Sequence, residues 1–217
     1  MKIGFVDVGG GTRGIYGAGV FDKFLEEGIT CDYFIGVSAG AANGASFLAG
    51  QVYRNYRFYN DYAFRKDYMS LRNFIKDGSY INLEYIYSYL TNSDGGIADP
   101  IPYKRALKAG CDKLVVILTR PKNDFRLPKD DLRIYRLLKR SYPNTAEVFK
   151  RRADRYNKCL KEILKLEKEN KLLIIAPRSI GRLKTLSQDH AQLDKLYHMG
   201  LEDAEYLVAK KSFLYDR

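Results

Sequence analysis

The chain predicts an α/β fold: a mostly parallel sheet with helices packed on it. Three observations carry this expectation. The first 48 residues alternate strand, helix, strand, helix, and glycine-bearing turns join each strand to the helix after it. Two further short runs, Leu114–Leu118 and Leu172–Ala176, have the length and branched character of buried strands. Helical patterns lie between and after them.

Each element follows from its residues. Lys2–Val8 is read as a strand, rich in β-branched and aromatic side chains, and it runs into Gly9-Gly10-Gly11-Thr12-Arg13-Gly14. Ile15 to Glu27 is read as a helix with Ile15, Ala18, Val20, Phe21, Phe24 and Leu25 on its apolar face, and Gly28 ends it. Tyr33–Val37 is a second strand, Ser38 follows, and a small-residue helix runs from Ala39 to Leu48. Gln51–Leu90 is tyrosine-rich and mostly helical, with Tyr53, Tyr56, Tyr59 and Tyr62 recurring at three. These tyrosines are expected to pack against the body. Asn92–Pro102 is a loop, Tyr103–Ala109 a short helix and Lys113–Thr119 a strand. Asn144, with Glu147 three residues on, reads as a helix cap. The helix after it places Phe149, Ala153, Tyr156, Leu160, Ile163 and Leu164 on one stripe. Lys171–Ala176 is a last strand and Glu202–Lys211 a last helix. No internal repeat and no low-complexity segment interrupts the chain.

With 217 residues the chain can hold one sizeable core. It is expected to form one domain over 1–217, with a motif-bearing core at 1–125 and a basic, helix-rich part at 126–217. Hydrophobic residues are 46% and charged residues 29%, which excludes a disordered chain. No apolar run approaches the ~18 residues of a membrane-spanning helix, and Met1–Val8 meets glycine too early for a signal peptide. Cys31, Cys111 and Cys159 are odd in number and far apart, so neither a disulfide framework nor a metal site is expected. A cytoplasmic location follows as an expectation. No cofactor is implied.

Charge is uneven. Residues 1–99 hold 9 Lys+Arg and 11 Asp+Glu, net −2, while residues 100–217 hold 28 and 15, net +13. A basic half suits either a solvated helix face or contact with phosphate, at an anionic membrane surface or on nucleic acid.

Gly36-Val37-Ser38-Ala39-Gly40 is the strongest chemical signal. A serine between two glycines, after a strand and before a helix, fits a nucleophile elbow, where a sharp turn exposes the hydroxyl. The helix N-terminus beneath it favours developing negative charge. Gly9–Gly14 is the second signal. Glycines on a strand-to-helix turn leave N–H groups free to face an anion, either a phosphate or the oxyanion of acyl transfer. The spacing departs from Gly-x-Gly-x-x-Gly and no lysine follows, so a nearby nucleophilic serine favours the oxyanion hole. Asp94-Gly95-Gly96 is the third signal, a loop carboxylate that turn chemistry alone would also explain. His190 and His198 follow in the chain order of a Ser–Asp–His triad. However, Ser187-Gln188-Asp189-His190 reads as a surface loop and His198, near Gly200, as a helix-end residue, so both are expected to be structural.

Together Gly9–Gly14, Gly36–Gly40 and Asp94–Gly96 resemble the patatin-like phospholipase family, whose pattern is a Gly-Gly-Gly-x-Arg/Lys-Gly loop, Gly-x-Ser-x-Gly and Asp-Gly-Gly/Ala in that order. The run from Asp94 through Ile101-Pro102 and Cys111 to Arg120 is similar to the bacterial branch. The resemblance covers residues 1–125 clearly and continues more loosely beyond. It implies a three-layer α/β/α fold and a serine hydrolase of lipid acyl esters. It also implies a Ser38–Asp94 dyad that needs no histidine. Gly9, Gly10 and Gly11 would form the oxyanion loop, joined by Ala39. Arg13 would brace the loop or lend charge near a phosphate, while Gly36, Gly40, Gly95 and Gly96 shape the turns. The implied partners are a lipid ester and an anionic membrane surface, and no nucleic acid is expected. One departure stands out. Asp94 follows Ser38 by only 56 positions, a shorter stretch than the family carries. Two alternatives therefore stay open: a catalytically impaired member of the fold, and a basic membrane or nucleic-acid adaptor.

Overall fold

A computed structural model describes residues 1–62, 99–140, 143–210 and 213–214. The Asp94-Gly95-Gly96 loop and the tyrosine-rich stretch beyond Tyr62 lie outside the described residues.

Four strands form one parallel sheet. They are β1 (Ile3–Asp7), β2 (Tyr33–Gly36), β3 (Lys113–Ile117) and β4 (Leu172–Ile175), in the order β2-β1-β3-β4. Phe5 pairs with Phe34 on one side and Val115 on the other, and Val116 pairs with Ile174. Parallel strands in the middle of a sheet bury both faces, which is why these runs are apolar at nearly every position.

Side-chain alternation divides the core in two. Ile3, Phe5, Val115, Ile117 and Ile175 face one layer of helices. Val6, Leu114, Val116, Leu172 and Ile174 face the other. The first layer holds α1 (Ile15–Glu26), α2 (Ala39–Leu48) and α8 (His190–Ala209). Phe5, Phe21, Phe24, Phe34 and Phe47 pack there, with ring centroids 5.0–6.4 Å apart. The second layer holds α4 (Tyr103–Lys108) and α7 (Arg152–Lys168), through Tyr103, Ala106, Tyr156, Leu160 and Ile163. The architecture is the expected three-layer α/β/α. Between these come α3 (Arg54–Arg57), continuing into a π-turn at Phe58–Tyr62, and the pair α5 (Pro128–Leu138) and α6 (Pro143–Lys150).

The structure corrects several sequence expectations. The last helix spans His190–Ala209 and begins twelve residues before Glu202. Ser187 and Gln188 form the expected loop, and Asp189 caps this helix, accepting from the Gln192 N–H at 3.1 Å. His190 is therefore the first helical residue, and His198 and Gly200 lie well inside the helix. Gly200 permits a close crossing, since a Cβ there would sit 2.2 Å from the Tyr16 carbonyl oxygen. The same holds at Gly19 against the carbonyl of Tyr197. The single helix expected from Asn144 is two: α6 starts at Pro143, so Asn144 lies within the helix rather than capping it, and Arg151 separates α6 from α7. The sequence reading also missed α5, which opens with Pro128 at its first position.

Candidate active site

The loops after β1, β2 and β3 meet at the carboxyl end of the sheet, where ligands bind in open α/β folds. The loop after β2 carries Ser38. Its backbone sits at φ 53°, ψ −119°, a conformation unfavourable for any residue with a Cβ. Packing enforces it. A Cβ at Gly40 would lie 2.3 Å from the Asp7 carbonyl oxygen, and one at Gly36 would lie 2.5 Å from backbone atoms of Gly40 and Ala41. The turn is thus pressed between β1 and its own helix, and only small residues fit around the serine. Ser38 is exposed at the N-terminus of α2, with Ala39 the first helical residue.

The loop after β1 lies directly against this turn. A Cβ on Gly9 would meet the Val37 carbonyl oxygen at 2.6 Å and Ser38 Cβ at 2.9 Å. Gly10 abuts Thr119, two residues past β3, and the Thr119 hydroxyl donates to the Gly9 carbonyl at 3.1 Å. Gly11 adopts φ 59° under the Thr185 carbonyl, which also accepts from the Thr12 N–H at 2.9 Å. The N–H groups of Gly10 and Gly11 have no acceptor among the described residues. Arg13 is buried, its Nε donating to the Gly10 carbonyl at 3.4 Å and an Nη to the Thr185 hydroxyl at 3.2 Å. Burial, with Arg120 and Arg126 nearby, lowers its pKa to about 10.

Beneath both loops lies a buried polar bracket. Asn43 of α2 donates to Asp7 Oδ2 at 2.9 Å and to the Gly14 carbonyl at 2.8 Å, while the Tyr59 hydroxyl donates to Asn43 Oδ1 at 3.3 Å. The bracket ties β1, the glycine loop and the elbow helix into one unit. Asp7 is fully buried, its Oδ1 has no partner among the described residues, and burial raises its pKa to about 8 despite the Asn43 hydrogen bond.

A cavity of about 350 Å³ opens over these loops. Gly9, Gly10, Gly11, Arg13 and Ser38 form one side of it. The rest of the lining comes from later in the chain: Arg120, Arg126, Phe149, Arg152, Tyr156 and Thr185. Sequence reasoning did not single these out as site residues. Arg152 reaches towards Asp131 at 3.8 Å. Neither histidine lines the cavity. His190 Nδ1 is 3.0 Å from Asn60 Oδ1, and His198 Nε2 is 3.6 Å from Asp194. The cavity therefore joins Ser38, Val37, Gly9–Gly11 and Arg13, with Gly36, Ala39 and Gly40 shaping the turn. Asp94, Gly95 and Gly96 lie outside the described residues. No cluster of metal-ligating side chains occurs among the described residues.

The profile of the patatin-like phospholipase family matches residues 8–173, and that of a domain of unknown function, DUF6363, matches residues 142–212. A search of curated proteins found no match to the chain. The first profile runs from the glycine loop through the serine elbow and β3 to the start of β4, most of the chain: this protein belongs to the patatin-like phospholipase family.

Proposed function

We propose that the chain is a serine hydrolase of lipid acyl esters, with Ser38 as nucleophile and Asp94 as base. The observation that carries this reading is the strained Ser38 held against a loop whose Gly10 and Gly11 N–H groups lack acceptors. Asp94 takes the proton from Ser38 as its Oγ attacks the ester carbonyl. The carbonyl oxygen becomes an oxyanion, stabilised by the glycine-loop amides and by the Ala39 N–H at the start of α2. Collapse of the tetrahedral intermediate expels the alcohol, which takes the proton from Asp94. Asp94 then deprotonates water, water attacks the acyl-enzyme, and the fatty acid leaves as Ser38 regains its proton. Burial favours the neutral form of Asp7, so it places little negative charge beneath the developing oxyanion.

The whole chain acts as one patatin-like unit, since β4 completes the sheet and α8 covers α1. The exposed basic face of α7, with Lys158, Lys161 and Lys165, serves to approach anionic membrane where lipid esters are found. No helix among the described residues is long and apolar enough to cross a membrane.

A fluorophosphonate probe tests the reading. Labelling is expected at Ser38 in the wild type and absent in Ser38→Ala. Asp94→Asn should lower turnover by orders of magnitude, while His190→Ala and His198→Ala should leave it near normal. A selective loss at either histidine would support a Ser–His–Asp triad instead.

A further inference from the structure

The family profile ends at residue 173, while the profile of unknown function continues to residue 212. One piece of that continuation reaches back to the glycine loop: the segment between β4 and α8, residues 176–189.

This segment is built to present a tip. Leu183 is buried in the same apolar layer as α1 and α8 and anchors the middle of the segment. Its N–H donates to the Ile180 carbonyl at 3.0 Å across a bend at Gly181, where φ is 54°. The Arg182 N–H donates to Gln192 Oε1 at 3.2 Å and ties the segment to α8. A tighter turn follows. The Lys184 N–H donates to the Ser187 hydroxyl at 2.7 Å, and the Ser187 N–H donates to the Lys184 carbonyl at 3.3 Å. These bonds close a four-residue turn with Thr185 and Leu186 at its centre. Both residues line the cavity over Ser38.

Thr185 holds the glycine loop with two groups. Its carbonyl accepts from the Thr12 N–H at 2.9 Å and from the Thr12 hydroxyl at 3.3 Å. The same carbonyl covers Gly11, where a Cβ would sit 2.0 Å from it. Its hydroxyl accepts from an Arg13 Nη at 3.2 Å, and Arg13 Nε donates to the Gly10 carbonyl at 3.4 Å. A peptide unit is planar, so whatever holds the Gly10 carbonyl also aims the Gly11 N–H. The Thr12 N–H belongs to the next plane, and the Thr185 carbonyl fixes that one. Gly11 is therefore held on both sides, and its own N–H has no acceptor among the described residues.

We infer that Thr185 is a positioning residue of the oxyanion loop, acting through Arg13 and Thr12 to aim the Gly11 N–H. The inference rests on the acyl-hydrolase reading and gives the stretch beyond the family profile a part in the same reaction. Thr185 is exposed, so its side chain can be changed without opening a void in the core.

Thr185→Val keeps the shape of the side chain and removes the hydroxyl, while Thr185→Ser keeps the hydroxyl. With p-nitrophenyl butyrate, kcat is expected to fall about tenfold in Thr185→Val at unchanged KM, and to stay within about twofold of wild type in Thr185→Ser. The inhibition constant of a short trifluoromethyl ketone, whose hemiketal oxygen mimics the oxyanion, should rise in Thr185→Val by the same factor as kcat falls. In an Arg13→Lys background Thr185→Val should add little, because the two residues act along one path. Amide exchange gives a readout without turnover: the Thr12 N–H should exchange several-fold faster in Thr185→Val and at the wild-type rate in Thr185→Ser. An unchanged kcat in Thr185→Val overturns the inference, as does a loss that persists in full in the Arg13→Lys background or is equally large in Thr185→Ser. A wild type without Ser38-dependent hydrolysis, in which Thr185→Val alone still speeds Thr12 exchange, would overturn the hydrolase reading and leave Thr185 as the clamp of the loop.

Discussion

The two walls of the cavity are built on different physical terms. The wall from residues 9–40 is backbone: strained φ angles, glycines pressed against carbonyls, amides without acceptors. The wall from residues 120–186 is side chain: guanidiniums, aromatic rings and a lone hydroxyl brought together from several helices and loops. Backbone geometry depends on which small residues stand at fixed local spacing, so the first wall tolerates little change and is visible in sequence. The second depends on tertiary placement, and its residue types are ones any basic surface would contain.

The largest expected effect lies on the backbone wall. Ser38→Ala should lower turnover of a short-chain ester by ~10⁶, as loss of a hydrolase nucleophile does. An active-site-independent probe of folding should not change. Near-normal turnover would move the chemistry away from this wall altogether.

Asp7→Asn probes the bracket beneath that wall. Burial raises the Asp7 pKa from its ordinary value to about 8. Between roughly pH 4 and pH 8 the folded state therefore holds a proton that the unfolded state has lost. Stability attributable to Asp7 must fall as pH rises through this window and level off above it, by an amount on the order of a few kcal/mol. Asp22 and Asp203 are also raised by burial and add the same sign, so the informative quantity is the difference between variant and wild type. Denaturant melts at pH 5, 6.5 and 8 should show Asp7→Asn gaining steadily on the wild type. A constant difference would mean that Asp7 does not titrate there.

These two variants test what the sequence made legible. Gly9–Gly14 and Gly36–Gly40 were readable because a close approach admits only glycine, and the structure brings both runs together. The strands were readable to within one or two residues because buried parallel strands are continuous apolar runs. Elsewhere the same residue types carried a different meaning. Gly200 suggested a helix end but marks a helix crossing, because local pattern cannot show that Tyr16 passes beneath it. The loop expected over Ser187–His190 ends one residue early, at Asp189, because a capping aspartate and a turn aspartate share one chemistry. The residues around Asp94 lie outside the described structure, so its part in the site rests on resemblance.

Gly200→Ala probes the scaffold rather than either wall. The added methyl meets a backbone carbonyl at 2.2 Å, so α1 and α8 must move apart. A loss of about 1–3 kcal/mol is expected in thermal or chemical unfolding, as for overpacked interiors. Turnover per folded molecule should be retained well below the melting temperature.

The smallest effect is expected on the outer surface. Arg151, Lys158 and Lys161 are exposed along α6–α7, away from the inward Arg152. Reversing all three to glutamate should weaken binding to anionic vesicles several-fold, and added salt should erase the difference within a Debye length of about 10 Å. Equal partition of both proteins onto neutral and anionic vesicles would confine the role of charge to the cavity.

The hydrogen bonds from Thr12 and Arg13 to Thr185 have a further consequence, in the order of synthesis. A ribosome makes the glycine loop and the serine elbow within the first 40 residues, long before residue 185. Until then Thr12 and Arg13 lack those acceptors, the φ 59° turn at Gly11 lacks the carbonyl that presses on it, and the far wall does not exist. A nascent chain therefore carries the serine turn before the contacts that hold the glycine loop against it. A product that ends before Thr185 would lack these contacts for the same reason.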